Sequence, residues 1–151
     1  MSASYDIAQA PGHLIRRAQQ IAVAEFAREM AAYDITPVQF ALLNAMIDTP
    51  GVDQITLANG VAFDAATSGS VLGRLEAKGW VRREPDQQDR RRKLLYVTPE
   101  GKKAVARMKD AVDRVQHNIL APLGPKDREV FVRLLAQLVQ GHEQTTGSGS
   151  E

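Results

Sequence analysis

The residues best suited to chemistry lie between Asp64 and Gly101. Asp64 is a good helix N-cap, and the turn that follows it is small and polar. Short side chains of this kind fit a DNA major groove, where hydroxyls reach phosphates or base edges and methyl groups contact thymine. Helix capping alone is the alternative explanation for the hydroxyl cluster. The predicted DNA-contacting residues of this helix are Ala65, Ala66, Thr67, Ser68, Ser70 and Arg74.

A basic hairpin is the second candidate contact. Two strands are predicted around residues 80–84 and 93–97, joined by a polar loop from Pro85 to Arg92. Arginine suits a narrow minor groove because the electrostatic potential there is strongly negative. We therefore expect Arg90, Arg91 and Arg92 to face DNA, although some of them could simply be solvated. Arg82 and Arg83 are expected to contact the DNA backbone, and Lys78 to be ordinary surface charge.

The charge distribution agrees with this placement. Residues 64–103 contain ten Lys/Arg and six Asp/Glu, a balance of +4, whereas the rest of the chain contains nine and twelve, a balance of −3. Positive charge is thus concentrated where DNA is expected. A solvated charged face is the alternative that charge alone would favour.

Composition excludes several other classes. The chain has 151 residues, enough for one domain with a real core, and no apolar run approaches the ~18 residues of a membrane span. It has no cysteine, so disulfides and thiolate metal sites are excluded, and a cytoplasmic location is expected. No phosphate loop or His-Glu-x-x-His motif is present, and three scattered histidines make no metal set. We expect neither an enzyme nor a cofactor.

Helix signals place these residues in a mainly α fold with a small β-wing. The predicted starts are Pro11, Thr36-Pro37, Asp53, Asp64, Thr98-Pro99 and Leu123-Gly124-Pro125, and Gly79 ends the fourth helix. Residues 36–101 are predicted to form a winged helix-turn-helix, with Phe63 and Trp80 anchored in its core. Within a single domain over 11–143, residues 1–10 precede as a flexible arm and 144–151 follow as a disordered tail.

The first and last helices suggest a dimer. Residues 11–32 and 102–143 carry more apolar surface than one small domain needs, so we expect them to pack on a second copy. An ordinary intramolecular bundle is the alternative. The expected interface residues are Val105, Met108, Val112, Val115, Phe131, Leu134 and Leu138.

The segment 75–103, LEAKGWVRREPDQQDRRRKLLYVTPEGKK, resembles the multiple antibiotic resistance regulator (MarR) family. The wing pattern Asp-Arg-Arg-x-x-x-Leu-x-Leu-Thr-x-x-Gly is matched from Asp89 to Gly101, except that Val97 replaces a leucine. The resemblance implies a homodimeric winged-helix regulator, usually a repressor, that leaves a pseudo-palindromic operator when a small phenolic or anionic ligand binds. It also implies that Arg91 enters the minor groove and that Asp89 holds the hairpin's shape.

A candidate effector site lies on the first helix. His13 and Arg17 are four residues apart and share a face with Arg16 nearby, so they could hold a carboxylate or phenolate. A surface pair or a dimer contact is the alternative. The sequence therefore predicts a repressor released by a small aromatic or acyl anion, such as an aromatic acid or its CoA thioester. A ligand-independent architectural DNA-binding protein is the second hypothesis, and an enzyme of unrecognised type the third.

Overall fold

The computed structural model describes residues 4–61 and 64–147, so the predicted core position of Phe63 lies outside the described residues. The chain divides into two compact units, residues 1–115 and 116–151. A 3-10 turn, Ile7–Gln9, precedes the regular elements. These are, in chain order, α1 (Pro11–Glu29), α2 (Pro37–Asp48), β1 (Val52–Asp53), α3 (Gln54–Gly60), α4 (Ala65–Ala77), β2 (Val81–Pro85), β3 (Lys93–Val97), α5 (Pro99–Leu120) and α6 (Pro125–Gly147).

Side-chain caps begin the helices that carry the predicted DNA surface. Thr36 and Gln39 form a reciprocal capping box at the start of α2. Asp53 caps α3, and Asp64 caps α4. Each cap satisfies a backbone N–H that has no partner inside its helix. The predicted helix starts at these positions are confirmed, and Gly79 has the positive φ of +78° expected of a left-handed stop.

A three-stranded antiparallel sheet lies in the first unit, in the order β1-β3-β2. We call the β2–β3 hairpin with its connecting loop, residues 81–97, the wing. Its register pairs Val81 with Val97 and Pro85 with Lys93, as the two predicted strands require. The sequence did not predict β1, because two residues are too short to carry an alternating pattern. β1 pairs Val52 with Leu95 and so joins the start of α3 to the wing.

The core of the first unit joins α2, α3, α4 and the sheet. Trp80 is half-buried and packs against it, in agreement with its predicted role as an anchor. Gly101, near the start of α5, lies against the Trp80 backbone, where an added Cβ would be 2.4 Å from the carbonyl oxygen. The buried members of this core are Leu42, Leu43, Met46, Val52, Leu57, Leu72, Leu75, Val81, Leu95 and Val97.

Two predicted boundaries differ in the structure. α6 continues to Gly147, so residues 144–147 are helical rather than part of a disordered tail. The predicted arm contains the turn Ile7–Gln9, and α1 ends at Glu29, three residues before the expected limit. Composition suggested loose segments at both ends, but helix propagation needs only continued backbone hydrogen bonding.

The predicted dimer residues divide into three groups by exposure. Met108 and Val115 are buried in the single chain, with 2% and 1% of their surface exposed, so their assignment to an interface is wrong. Their heptad-like spacing reflects a helix face that is covered within the chain itself. Val105 and Val112 are half-buried. The exposed members lie on α6 and are Phe131, Leu134 and Leu138.

Candidate nucleic-acid interface

The first turn of α4 presents short side chains to solvent. Asp64 Oδ1 accepts a hydrogen bond of 2.7 Å from the Thr67 backbone N–H, and this bond lowers the pKa of Asp64 below its usual value. Ala66, Thr67 and Ser70 are exposed, as a surface that enters a groove requires. Ala65 is the first residue of the helix. The first turn of α4 thus has a well-formed N-cap, and its outer surface is sterically open.

Ser68 does not belong to this exposed set. Its side chain is fully buried, at 0% exposure, and its hydroxyl has no hydrogen-bond partner among the described residues. The prediction that Ser68 contacts DNA is therefore wrong for this conformation. The physical reason is helical geometry, since position 68 faces inward whereas positions 66, 67 and 70 face outward. Ser68 is a small residue that allows close packing.

The C-terminal half of α4 borders a cleft of 480 Å³. Arg74 is exposed on its rim, so this arginine faces the cleft as well as solvent. Lys78 donates a hydrogen bond to the carbonyl oxygen of Asp34 and lies 4.7 Å from the centre of the Trp80 ring. The assignment of Lys78 to ordinary surface charge is therefore wrong, because its amine ties the end of α4 to the segment between α1 and α2.

The tip of the wing is organised by Asp89. Its Oδ1 accepts one hydrogen bond from the backbone N–H of Arg91 at 3.1 Å and another from the Arg91 Nε at 3.4 Å. The Arg91 side chain is nevertheless 95% exposed. Arg90 is also exposed and has no ion pair or hydrogen bond within residues 4–61 and 64–147. Both guanidinium groups can therefore reach a ligand outside the chain.

Arg92 is arranged differently from its two neighbours. Its Nη2 donates a hydrogen bond of 3.1 Å to Asp53 Oδ1, and its Nη1 lies 3.8 Å from Asp86 Oδ2. The Asp53 carboxylate also accepts from the Thr56 hydroxyl at 2.5 Å. The Thr56 hydrogen bond, together with that from Arg92, lowers the pKa of Asp53 despite the opposing effect of burial. Arg92 is predicted to face DNA, but its guanidinium already has two acidic partners within the chain.

The arginines of β2 are both engaged within the chain. The Arg82 guanidinium forms an ion pair with Glu84 and lies 4.4 Å from the centre of the Tyr96 ring, with half of its side chain exposed. It remains accessible to a phosphate. Arg83 forms an ion pair of 2.5 Å with Glu76 on α4 and a hydrogen bond of 3.4 Å with Gln54 on α3. Arg83 therefore holds α3 and α4 to the wing. Its guanidinium is engaged within the chain rather than free to contact the DNA backbone.

The predicted effector residues lie near the start of α1. Arg16 donates a hydrogen bond of 3.0 Å to His13 Nδ1, whereas Arg17 donates one of 2.5 Å to Gln20 Oε1. His13 and Arg17 thus each use a partner on the same helix rather than one another. The 480 Å³ cleft is lined by residues from Ala27 onwards and does not include this trio.

Sequence reasoning missed the residues that hold the wing in place. Asp53 was identified as a helix cap, but its bond to Arg92 joins positions 39 residues apart. Asp86, Glu76 and Tyr96 carry no local sequence signal for these roles. Strand pairing and the packing of α4 beside β2 bring their arginine partners to them, and local periodicity specifies neither.

The described part of the chain supports neither a metal site nor a membrane-spanning helix. Residues 4–61 and 64–147 contain no group of three or more His, Cys, Asp or Glu side chains able to hold a metal ion. Among the same residues, no helix is long and apolar enough to cross a membrane.

The fold and the exposed basic surface define a winged helix-turn-helix DNA-binding protein. The family model described as MarR family matches residues 33–92. The chain is 33% identical over 127 residues to the transcriptional regulator HosA of Escherichia coli O157:H7, covering 84% of this chain and 93% of that protein. The chain therefore belongs to the MarR family, and it is a transcription regulator rather than an enzyme.

Two solved structures are similar over nearly the whole chain. PcaV of Streptomyces coelicolor, crystallised with its natural ligand, has a TM-score of 0.82 and 34% identity, covering 92% of this chain and 98% of PcaV. BpsR of Bordetella bronchiseptica, whose DNA binding is regulated by 6-hydroxynicotinic acid, has a TM-score of 0.85 and 30% identity, covering 91% of this chain and 98% of BpsR. The winged-helix fold predicted from sequence is confirmed.

Proposed function

We propose that the protein is a homodimeric repressor that binds a pseudo-palindromic operator and releases it when a small aromatic or acyl anion binds. The observation that carries the DNA-binding part is the pairing, in one unit, of an open helix turn with an exposed arginine tip. Ala66, Thr67 and Ser70 are accessible on α4, and Arg91 is 95% exposed on the wing. A helix in the major groove with an arginine in the adjacent minor groove uses both surfaces together.

Exposed apolar side chains support the dimer. On α6, Leu134 and Val139 are 50% and 49% exposed, and five further large apolar residues of the same helix are also exposed. Leu14 and Ile21 on α1 are 48% and 49% exposed. Apolar surface of this extent marks an interaction site, and a second copy would cover it symmetrically. Two recognition helices about 34 Å apart would then meet successive turns of a palindrome.

The cleft beside α4 supports a small anionic effector. Its volume of 480 Å³ lies within the usual range of about 300–1,000 Å³ for small-molecule sites. Met30 and Ile35 supply apolar lining, and Arg74 and Lys78 supply positive charge, although the Asp34 carboxylate also lines the cleft and lies 3.6 Å from Lys78 Nζ. An aromatic acid bound there would contact the recognition helix directly and favour a helix position that misses the half-sites. PcaV, which was crystallised with its natural ligand, and BpsR, whose DNA binding is regulated by 6-hydroxynicotinic acid, are both similar to this chain in sequence and fold.

Sequencing of genomic DNA fragments retained by the purified protein tests the repressor proposal. The expected result is a short palindrome with half-sites one helical turn apart, bound with an affinity that falls steeply with salt. Retention spread over unrelated fragments would instead favour a ligand-independent architectural role. That alternative draws on the same basic surface but requires no sequence discrimination.

Titration of aromatic acids and their CoA thioesters against the retained operator tests the effector. Lys78→Gln probes the cleft and Arg17→Ala probes the start of α1, with both variants first checked for unchanged binding to DNA alone. Loss of release in only one variant identifies the site. Unchanged operator affinity across the whole series would remove the effector and leave the DNA-binding proposal intact.

A further inference from the structure

Arg92 connects the wing to the beginning of the helix-turn-helix. Its guanidinium bridges two carboxylates, at 3.1 Å from Asp53 Oδ1 and 3.8 Å from Asp86 Oδ2. The Asp53 side chain is only 12% exposed, whereas that of Arg92 is 53% exposed. A pair that is half sheltered from solvent is screened less than a pair on the open surface. Arg92 is therefore fixed in a way that Arg90 and Arg91 are not.

Asp53 serves two elements with one carboxylate. Its Oδ2 accepts from the Thr56 backbone N–H at 3.4 Å, which caps α3, and its Oδ1 accepts from Arg92. Asp53 also pairs with Leu94 in the sheet, only two residues after Arg92. The first helix of the helix-turn-helix and the base of the wing loop consequently share one anchoring group.

The backbone of Arg92 closes the wing loop. Its carbonyl oxygen accepts a hydrogen bond of 2.9 Å from the Asp86 N–H, and its own N–H donates one of 2.9 Å to the Asp89 carbonyl. Arg91 precedes it directly in the chain. The position of Arg92 therefore determines where the exposed Arg91 side chain begins and in which direction it can extend.

We propose that Asp53 and Arg92 are positioning residues for DNA binding. They set the wing at the angle that lets Arg91 enter the minor groove while α4 occupies the adjacent major groove. Neither residue contacts DNA in this arrangement. The inference rests on the proposed function, since it presupposes that the wing and α4 bind the same duplex. It assigns Arg92 a role different from that of the other two loop arginines.

The charge of Asp53 separates this proposal from the simpler interpretation. If Arg92 were a phosphate contact and Asp53 an incidental neighbour, Asp53→Asn would remove a negative charge from a DNA-facing surface and strengthen binding. If the pair positions the wing, the same change weakens binding. Asparagine retains the cap of α3, because its carbonyl oxygen accepts from the same backbone N–H. The substitution therefore affects the pair more than the helix.

The experiment measures operator affinity over a series of salt concentrations for wild type, Asp53→Asn, Arg92→Met and the double variant. Methionine keeps the length of the arginine side chain and removes its charge and donors. We expect each single variant to bind about threefold to tenfold more weakly, and the double variant no more weakly than the poorer single one. The slope of log affinity against log salt is negative, and its magnitude should stay at the wild-type value in Arg92→Met. Loss of one phosphate contact would instead reduce that magnitude by about 0.9.

Arg90→Met is the matched control, since Arg90 has no partner in the described part of the chain and also lies in the loop. The loss of operator affinity caused by Arg90→Met should be the same whether residue 53 is aspartate or asparagine. Thermal unfolding within a few degrees of wild type verifies that each variant folds.

Equal or tighter binding by Asp53→Asn, or a slope in Arg92→Met reduced by about 0.9, would overturn the inference alone. A wild-type protein that binds no duplex would overturn the proposed function and this inference together.

Discussion

Asp89 holds Arg91 by two hydrogen bonds to a single carboxylate oxygen, one from the backbone N–H at 3.1 Å and one from Nε at 3.4 Å. The terminal nitrogens of Arg91 are left facing solvent, and 95% of the side chain is exposed. Asp89 therefore restricts the direction of the arginine without covering it. Such preorganisation lowers the entropy lost when the guanidinium is fixed against DNA.

Replacement of Arg91 by glutamate should weaken operator binding at least about 30-fold, since one arginine contact is worth roughly 1–3 kcal/mol and the new charge repels phosphate. The melting temperature should change little, because the side chain is 95% exposed and its hydrogen-bond and ion-pair partner among the described residues is Asp89. Fluorescence anisotropy and thermal unfolding measure the two effects. A large fall in melting temperature would show that Arg91 supports the fold.

Ser68 and Ser70 offer a matched test of the α4 surface. Ser68→Ala removes a buried hydroxyl without a described partner, so DNA affinity should stay within twofold and the free energy of unfolding should rise by up to about 1 kcal/mol. Ser70→Ala removes an exposed hydroxyl and should weaken operator binding severalfold. Denaturant unfolding and anisotropy on both variants decide the assignment. Weaker binding by Ser68→Ala alone would restore the original sequence prediction.

These two serines show where sequence reasoning succeeds and where it stops. The helix, its cap and its polar character followed from Asp64 and the residue types after it. Which hydroxyl faces outward depends on the rotation of α4 against α3, where an added Cβ on Gly69 would lie 3.2 Å from the Gln54 amide nitrogen. That rotation is set by packing between helices, which a single sequence does not display.

The exposed apolar face of α6 predicts the oligomeric state. Leu134→Asp places a charge at a side chain that is 50% exposed in the single chain, so a dimer built on this face should dissociate. Gln140→Asp, on the side of the same helix away from the groove lined by Leu134 and Leu138, introduces the same charge at an exposed polar position and should leave the dimer intact. Size-exclusion chromatography with light scattering distinguishes the species. A Leu134→Asp protein that still elutes as a dimer would exclude this face.

Glycine substitutions should have opposite effects on stability at two positions. At Gly101 a Cβ would lie 2.4 Å from the Trp80 carbonyl oxygen, so Gly101→Ala should cost about 1–3 kcal/mol. At Gly73, within α4, no described atom beyond the adjoining residues and the backbone of the helix itself lies within 4 Å of the added Cβ, so alanine should stabilise by about 0.5–1 kcal/mol. Urea unfolding measures both. A neutral Gly101→Ala would mean that the start of α5 can move away from Trp80.

Acid should weaken the anchoring of the wing. The Thr56 and Arg92 hydrogen bonds lower the pKa of Asp53 in the folded state, so their stabilisation is complete above the unfolded pKa of about 3.9 and is lost as pH falls through the folded value. Near pH 7 we expect Asp53→Asn to melt about 1–3 °C below wild type, with the difference vanishing in acid. Calorimetry from pH 7 to pH 2 follows this. A difference that persists below pH 3 would assign the effect to packing.

The interface prediction from the fifth helix failed for a related reason. Met108 and Val115 have the spacing of a helical seam, but the spacing identifies an apolar face and not its partner. The wing differs, because the residue types from Asp89 to Gly101 follow a family pattern and the two strands form at the predicted positions. Local rules and family motifs therefore predicted the capped helix α4 and the wing. They did not reveal which long-range contacts, such as Arg92 with Asp53, hold it in place.

Sedimentation velocity of the protein with a duplex that carries the recovered palindrome tests the proposed function most directly. We predict two chains for each duplex, with recognition helices at half-sites about 34 Å apart, and dissociation as salt increases. A protein that sediments as a monomer at micromolar concentration and leaves the duplex free in dilute salt would contradict it.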